Sequence, residues 1–180
     1  MKLYAGIGSR ESPESIIIIM MDLAKKLAES NWILRSGGAP GADSAFADGI
    51  KHLPNLKNYQ EIYIPWNGFN GLKEDHENGI YLENNPMAEE IANKYHPVYG
   101  KLSQTAKKLM CRNGYQILGK DLKTPSKFII CWTRDGAIEK TNRDTGGTGQ
   151  ALRIAIANNI PIYNLNNKYH YQLLNTWLYD

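Results

Sequence analysis

Three glycine-rich segments carry the residue types that hold a phosphate: Gly6-Ile7-Gly8-Ser9-Arg10, Gly37-Gly38-Ala39-Pro40-Gly41 and Gly146-Gly147-Thr148-Gly149. Each sits between an apolar run that reads as a strand and a stretch that reads as a helix. A helix N-terminus exposes unpaired backbone N–H groups at the positive end of its dipole, and glycine lets the backbone approach an anion closely. Arg10 adds a guanidinium fork suited to a phosphate. A single glycine turn is equally well explained as a plain connection, but three on one sheet edge weigh against that reading.

Neither common phosphate-binding fingerprint is present. Gly6-x-Gly8 is followed by Glu11 where a dinucleotide motif has its third glycine, strand two ends in Arg35 instead of an acidic ribose ligand, and no turn contains Gly-Lys-Ser or Gly-Lys-Thr. Other residues offer chemistry less clearly. Asp75, His76 and Glu77 could supply acid or base groups from a loop, or be ordinary exposed residues, and the same holds for His96. Arg112 and Asn113, on a helix with Lys107 and Lys108, could reach phosphate from the far wall of a crevice or form a solvated face. Trp66, Phe69 and Trp132 follow strands and could stack on a base or pack against the sheet. Cys111 and Cys131 lie apart with no CxxC spacing or neighbouring His, so the sequence suggests neither a disulfide nor a metal site.

The elements that must position these groups alternate. Leu3 to Ile7 reads as strand one, Pro13 to Ser30 as a helix, Trp32 to Ser36 as strand two and Ala42 to His52 as an Ala-rich helix. The run Ile16 to Met21 is apolar on all sides, as for a helix enclosed between a sheet and another layer. Glu61 to Pro65 is strand three. Trp66 to Asn85 reads as a long loop covering a site. Helices are expected over 86–95 and 103–118, a buried strand over 127–132, a helix over 150–158, a fifth strand over 160–163 and a last helix over 169–178. The fold expected is therefore α/β: a Rossmann-like, doubly wound, mostly parallel sheet of five strands or slightly more, helices on both faces, in one domain spanning 1–180. In such a sheet, ligands bind at the carboxyl ends of the strands.

The 180 residues are 42% apolar and 22% charged, with 21 Lys and Arg against 18 Asp and Glu for a net charge of +3. No run of like charges forms a nucleic-acid arm. The longest apolar run is far short of a membrane span, and the first residues lack a signal peptide's apolar region, so a cytoplasmic protein with no membrane partner is expected.

The segments YAGIGSRESP, LRSGGAPGADSAF, EIYIPW, FIICWTRDG and GGTGQALRIA, in this order, resemble the SLOG superfamily of nucleotide-binding Rossmann proteins, which groups DprA with the Lonely Guy phosphoribohydrolases. The likeness is greatest to short members found in phages and bacteria. It implies that Gly8, Ser9 and Arg10 line the ligand site, with Ser36, Gly37, Gly38 and Asp43 on the second turn and Gly147, Thr148 and Gly149 on the third. Asp43 would also be stabilising in a helix first turn without any ligand. The Lonely Guy motif PGGxGTxxE ends in a catalytic Glu, and Arg153 stands in its place here. Without that carboxylate the obvious acid or base for cleaving an N-glycosidic bond is gone, whereas Arg153 could add to the hold on phosphate if it faced the crevice.

The function expected is binding of a nucleotide or nucleotide-derived signal, such as one derived from NAD or a cyclic nucleotide, sensed or sequestered without turnover. An anti-defence role in a phage would suit it. The alternatives are a nucleoside-monophosphate N-glycosidase using Glu11 or Glu77, and a DprA-like single-stranded DNA binder. Nucleic acid is not the favoured partner. The resemblance and the aromatic C-terminal segment suggest a homo-oligomer; the sequence assigns no cofactor and no catalytic residue.

Overall fold

A computed structural model describes all residues from Met1 to Asp180. Six strands form one sheet: β1 (Leu3–Gly6), β2 (Ile33–Ser36), β3 (Gln60–Tyr63), β4 (Ile80–Tyr81), β5 (Ile129–Cys131) and β6 (Ile162–Asn164). Their order across the sheet is β4-β3-β2-β1-β5-β6, and every neighbouring pair is parallel. The six helices are α1 (Glu14–Glu29), α2 (Ala42–Ile50), α3 (Pro86–Tyr95), α4 (Gln104–Leu118), α5 (Thr148–Ala157) and α6 (Lys168–Tyr179).

Successive strand residues point to opposite faces, and the two faces bury two cores. Tyr4, Leu34, Ile62 and Ile130 pack with α1 and α2, and α6 closes that side through Tyr171, Leu174 and Leu178. Ala5, Tyr63, Ile129 and Cys131 point the other way and pack with α3, α4 and α5. This is the doubly wound arrangement expected of short, almost wholly buried strands.

Two local expectations change. The stretch Trp66 to Asn85 is not all loop: Ile80 and Tyr81 pair with Ile62 and Tyr63 as an edge strand, steadied by a bridge from Asp75 to Ile80. Two residues are too few to show a period of two, so nothing in the sequence marked this sixth strand. The run Ile16 to Met21 is also not enclosed, since Ile18 is 53% exposed on the outer face of α1.

How the helices begin separates two groups. Asn85, Ser103 and Asn167 accept backbone N–H bonds and cap α3, α4 and α6, and Pro86 at the start of α3 has no N–H to leave unpaired. Helices α1, α2 and α5 follow Pro13, Gly41 and Gly147 and have no side-chain cap. These three follow the three glycine turns. No helix is long and apolar enough to cross a membrane.

Candidate functional site

The chain leaves β1 for β2 on one side, continues outward to β3 and β4, and then crosses back to place β5 on the other side of β1. At that reversal the connections from β1 and β5 turn in opposite directions and leave a crevice at the strands' carboxyl ends. A cavity of about 620 Å³ opens there, lined by the β1 turn, the loop after β5, the start of α5 and one face of α4.

Of the residues singled out in the sequence, Gly8, Ser9, Arg10, Glu11, Asp43, Arg112, Asn113, Gly147 and Thr148 line this cavity. The Ser9 N–H donates to the Trp132 carbonyl and its own carbonyl accepts from Ala42, so the β1 turn is clamped between β5 and the start of α2. A Cβ on Gly8 would lie 2.8 Å from the Trp132 oxygen, which explains why no larger residue fits that clamp.

Asp43 and Arg112 form a buried pair at the cavity floor, with Nη1 to Oδ2 at 3.3 Å and relative exposures of 3% and 8%. Arg112 also donates to the Gly37 carbonyl, and Asp43 accepts from the Ala39 N–H. Burial pushes the Asp43 carboxyl up, opposed by the Arg112 guanidinium, the backbone N–H groups of Ala39 and Gly37, and the charge of Arg10. The Nε of Arg112 is buried without a hydrogen-bond partner. Beside it Asn113 donates to Gln150 Oε1 at 2.9 Å, and Gln150 Nε2 is likewise buried and unpartnered. Unused buried donors in a native fold need an explanation such as a ligand.

Several expected residues lie outside the cavity. Ser36 is buried and donates its hydroxyl to the Gly6 carbonyl at 2.7 Å. Gly37 and Gly38 are buried behind Arg112 and Leu72, and Gly149 is buried in the first turn of α5. Trp132 is 9% exposed and belongs to the core. Trp66 stands edge-on to Phe69 and lines a separate cavity. Arg153 does not face the crevice: it donates to the Tyr95 carbonyl at 2.6 Å and to Thr141 Oγ1 at 2.9 Å, tying α5 to the end of α3. Its place on the helix, five residues beyond the first turn's start, carries it to the far side. His76 pairs with Glu74, Glu77 with Lys57, and His96 accepts from the Val98 N–H, all away from the cavity.

Sequence reasoning left out Arg134 and Arg143, which bring the cavity's arginines to four, and Gln116. Arg134 reaches Glu11 Oε2 at 2.6 Å across the rim, both side chains largely exposed. Arg143 and Asp144 ride a short turn fixed by reciprocal bonds between Asn142 and Thr145. The topology could have found Arg134, because it follows β5 at the carboxyl edge. On α4, Arg112, Asn113 and Gln116 share the wall of the cavity at helical spacing, and that polar stripe was a readable signal. Arg143 left no signal, since its loop has no period.

No protein-family model and no curated protein matches the chain. Among solved structures, DNA processing protein A from Helicobacter pylori, studied for its single-stranded DNA binding mode, is similar at 17% identity over 99% of this chain and 81% of that one, with a TM-score of 0.41. That likeness is too distant to transfer a function.

Proposed function

We propose that the protein binds a nucleotide or nucleotide-derived ligand, its phosphate held in the cavity at the β1–β5 reversal, and releases it chemically unaltered. The observation that carries this reading is the convergence of Arg10, Arg112, Arg134 and Arg143 on one cavity with the uncapped start of α5. Neither Arg10 nor Arg143 is paired with a carboxylate. Guanidinium groups and free N–H groups favour a phosphate and accept no proton from a reacting group.

The carboxylates at the cavity support binding more than turnover. Asp43 is engaged by Arg112, and Glu11 by Arg134. Asp144 is exposed on the rim loop. Incubation with AMP, ADP, NAD or a cyclic dinucleotide, followed by heat denaturation and chromatography of the supernatant, tests the proposal. Stoichiometric depletion before heating and recovery of the intact compound afterwards are expected. Catalytic release of free base or ribose phosphate would replace binding with N-glycosidic hydrolysis. Binding of an oligothymidylate with no mononucleotide bound would replace it with single-stranded DNA binding.

A further inference from the structure

A second cavity, of about 430 Å³, opens beside the first at the carboxyl ends of β3 and β4. Its volume falls within the range of about 300–1,000 Å³ typical of small-molecule sites. Arg112 lines both cavities and is the one side chain they share. Their linings differ in kind. The first gathers four arginines against Glu11, Asp43 and Asp144. The second balances Glu83 and Glu89 against Lys108 and Arg112 and is lined by three aromatic residues, Trp66, Tyr99 and Tyr115.

One donor in the second cavity's wall is unused. The Tyr115 hydroxyl accepts from the Asn85 N–H at 2.8 Å and donates to no group of the protein, though the residue is only 3% exposed. Tyr99 is oriented by its hydroxyl bond to Glu89 at 3.4 Å and by Lys107 Nζ 5.2 Å from its ring centre. Trp66 is half-buried at the rim, its edge against Phe69. Aromatic residues, balanced charge and a free hydroxyl donor suit a planar heteroaromatic ring with acceptor atoms and do not suit a phosphate.

We infer that the second cavity binds the nucleobase of the ligand whose phosphate occupies the first, with Arg112 between the two. This rests on the phosphate reading of the first cavity and specifies its ligand: a nucleoside phosphate that reaches past Arg112, recognised at both ends. Trp66 forms the outer wall of the base site, and Tyr115 donates to the ring.

Calorimetry with inorganic pyrophosphate and with ADP, GDP, CDP and UDP tests this on the unmodified protein, on Trp66→Ala and on Cys111→Trp, which would fill the second cavity. At least one nucleoside diphosphate is expected to bind about ten-fold or more tightly than pyrophosphate. Both substitutions are expected to remove that surplus and leave the pyrophosphate affinity as it was. Trp66 is half-exposed, so Trp66→Ala keeps the test decisive if the cavity-filling variant does not fold. Equal affinity for pyrophosphate and all four nucleotides, or a surplus that survives a folded variant, overturns this inference alone. No binding of pyrophosphate overturns the phosphate reading and this inference with it.

Discussion

The middle glycine turn, Gly37 to Gly41, and the two outer turns at Gly8 and Gly147 are similar in sequence and opposite in use. The outer turns border the cavity. The middle turn touches the cavity only through Ala39 and is otherwise turned inward: the Gly37 carbonyl accepts from Arg112, Ser36 is tied to the Gly6 carbonyl, and Gly38 packs under Leu72. A Cβ on Gly37 would overlap the Arg112 guanidinium, so this glycine makes room for an arginine and not for a ligand. A glycine-rich strand-to-helix turn can thus serve an anion in two ways, by lying against it or by holding the side chain that does.

The sharpest way to break this comparison is Arg112→Ala. It strands the Asp43 carboxylate in the core, and loss of one partner of a buried pair costs about 3–5 kcal/mol. Urea unfolding at neutral pH should show a deficit of that size, and a deficit under about 1 kcal/mol would mean the middle turn is not an internal clamp. The deficit should shrink in acid. Because burial holds the folded Asp43 pKa above its unfolded value of about 3.9, ionising it costs the fold nothing below that value and progressively more as pH rises through the folded value. Without Arg112 the folded value rises further, so unfolding at pH 4 should show a smaller gap between variant and parent than at pH 7.

Next in size is Arg10→Ala, an exposed residue of the first outer turn. Pyrophosphate affinity should fall by about 1.5–3 kcal/mol, as for one charged hydrogen bond, with the melting temperature unchanged. Unchanged affinity by calorimetry would remove Arg10 from the site.

The smallest effects separate the turns most cleanly. Gly38 has φ +66° and a Cβ there would lie 2.6 Å from Leu72, so Gly38→Ala should cost stability by roughly 1–2 kcal/mol or more. Gly147 has φ −62° and open space where a Cβ would go. Gly147→Ala should leave the unfolding free energy within about 0.5 kcal/mol of the parent and weaken pyrophosphate binding. If Gly147→Ala instead unfolds the protein and binds normally, the outer turn is only a turn.

The order of strands and helices was legible from the chain because buried strands and helix starts are written locally, in apolar runs and in Gly, Pro, Asn and Ser at the junctions. From that order followed the edge of the sheet where Gly8, Ser9, Arg10, Gly147 and Thr148 gather. The edge strand β4 escaped because two residues carry no period. What only the tertiary structure decided is where each long side chain ends. Arg112 and Arg153 lie on neighbouring helices and were equal candidates, yet one reaches Asp43 at the cavity floor and the other the Tyr95 carbonyl behind α5. Arg134, Arg143 and Trp66 were likewise placed by their loops. An arginine spans several ångströms beyond its backbone, so its partner depends on which element packs opposite. That contact joins residues far apart in the chain, 69 positions for Asp43 and Arg112, and leaves no local trace.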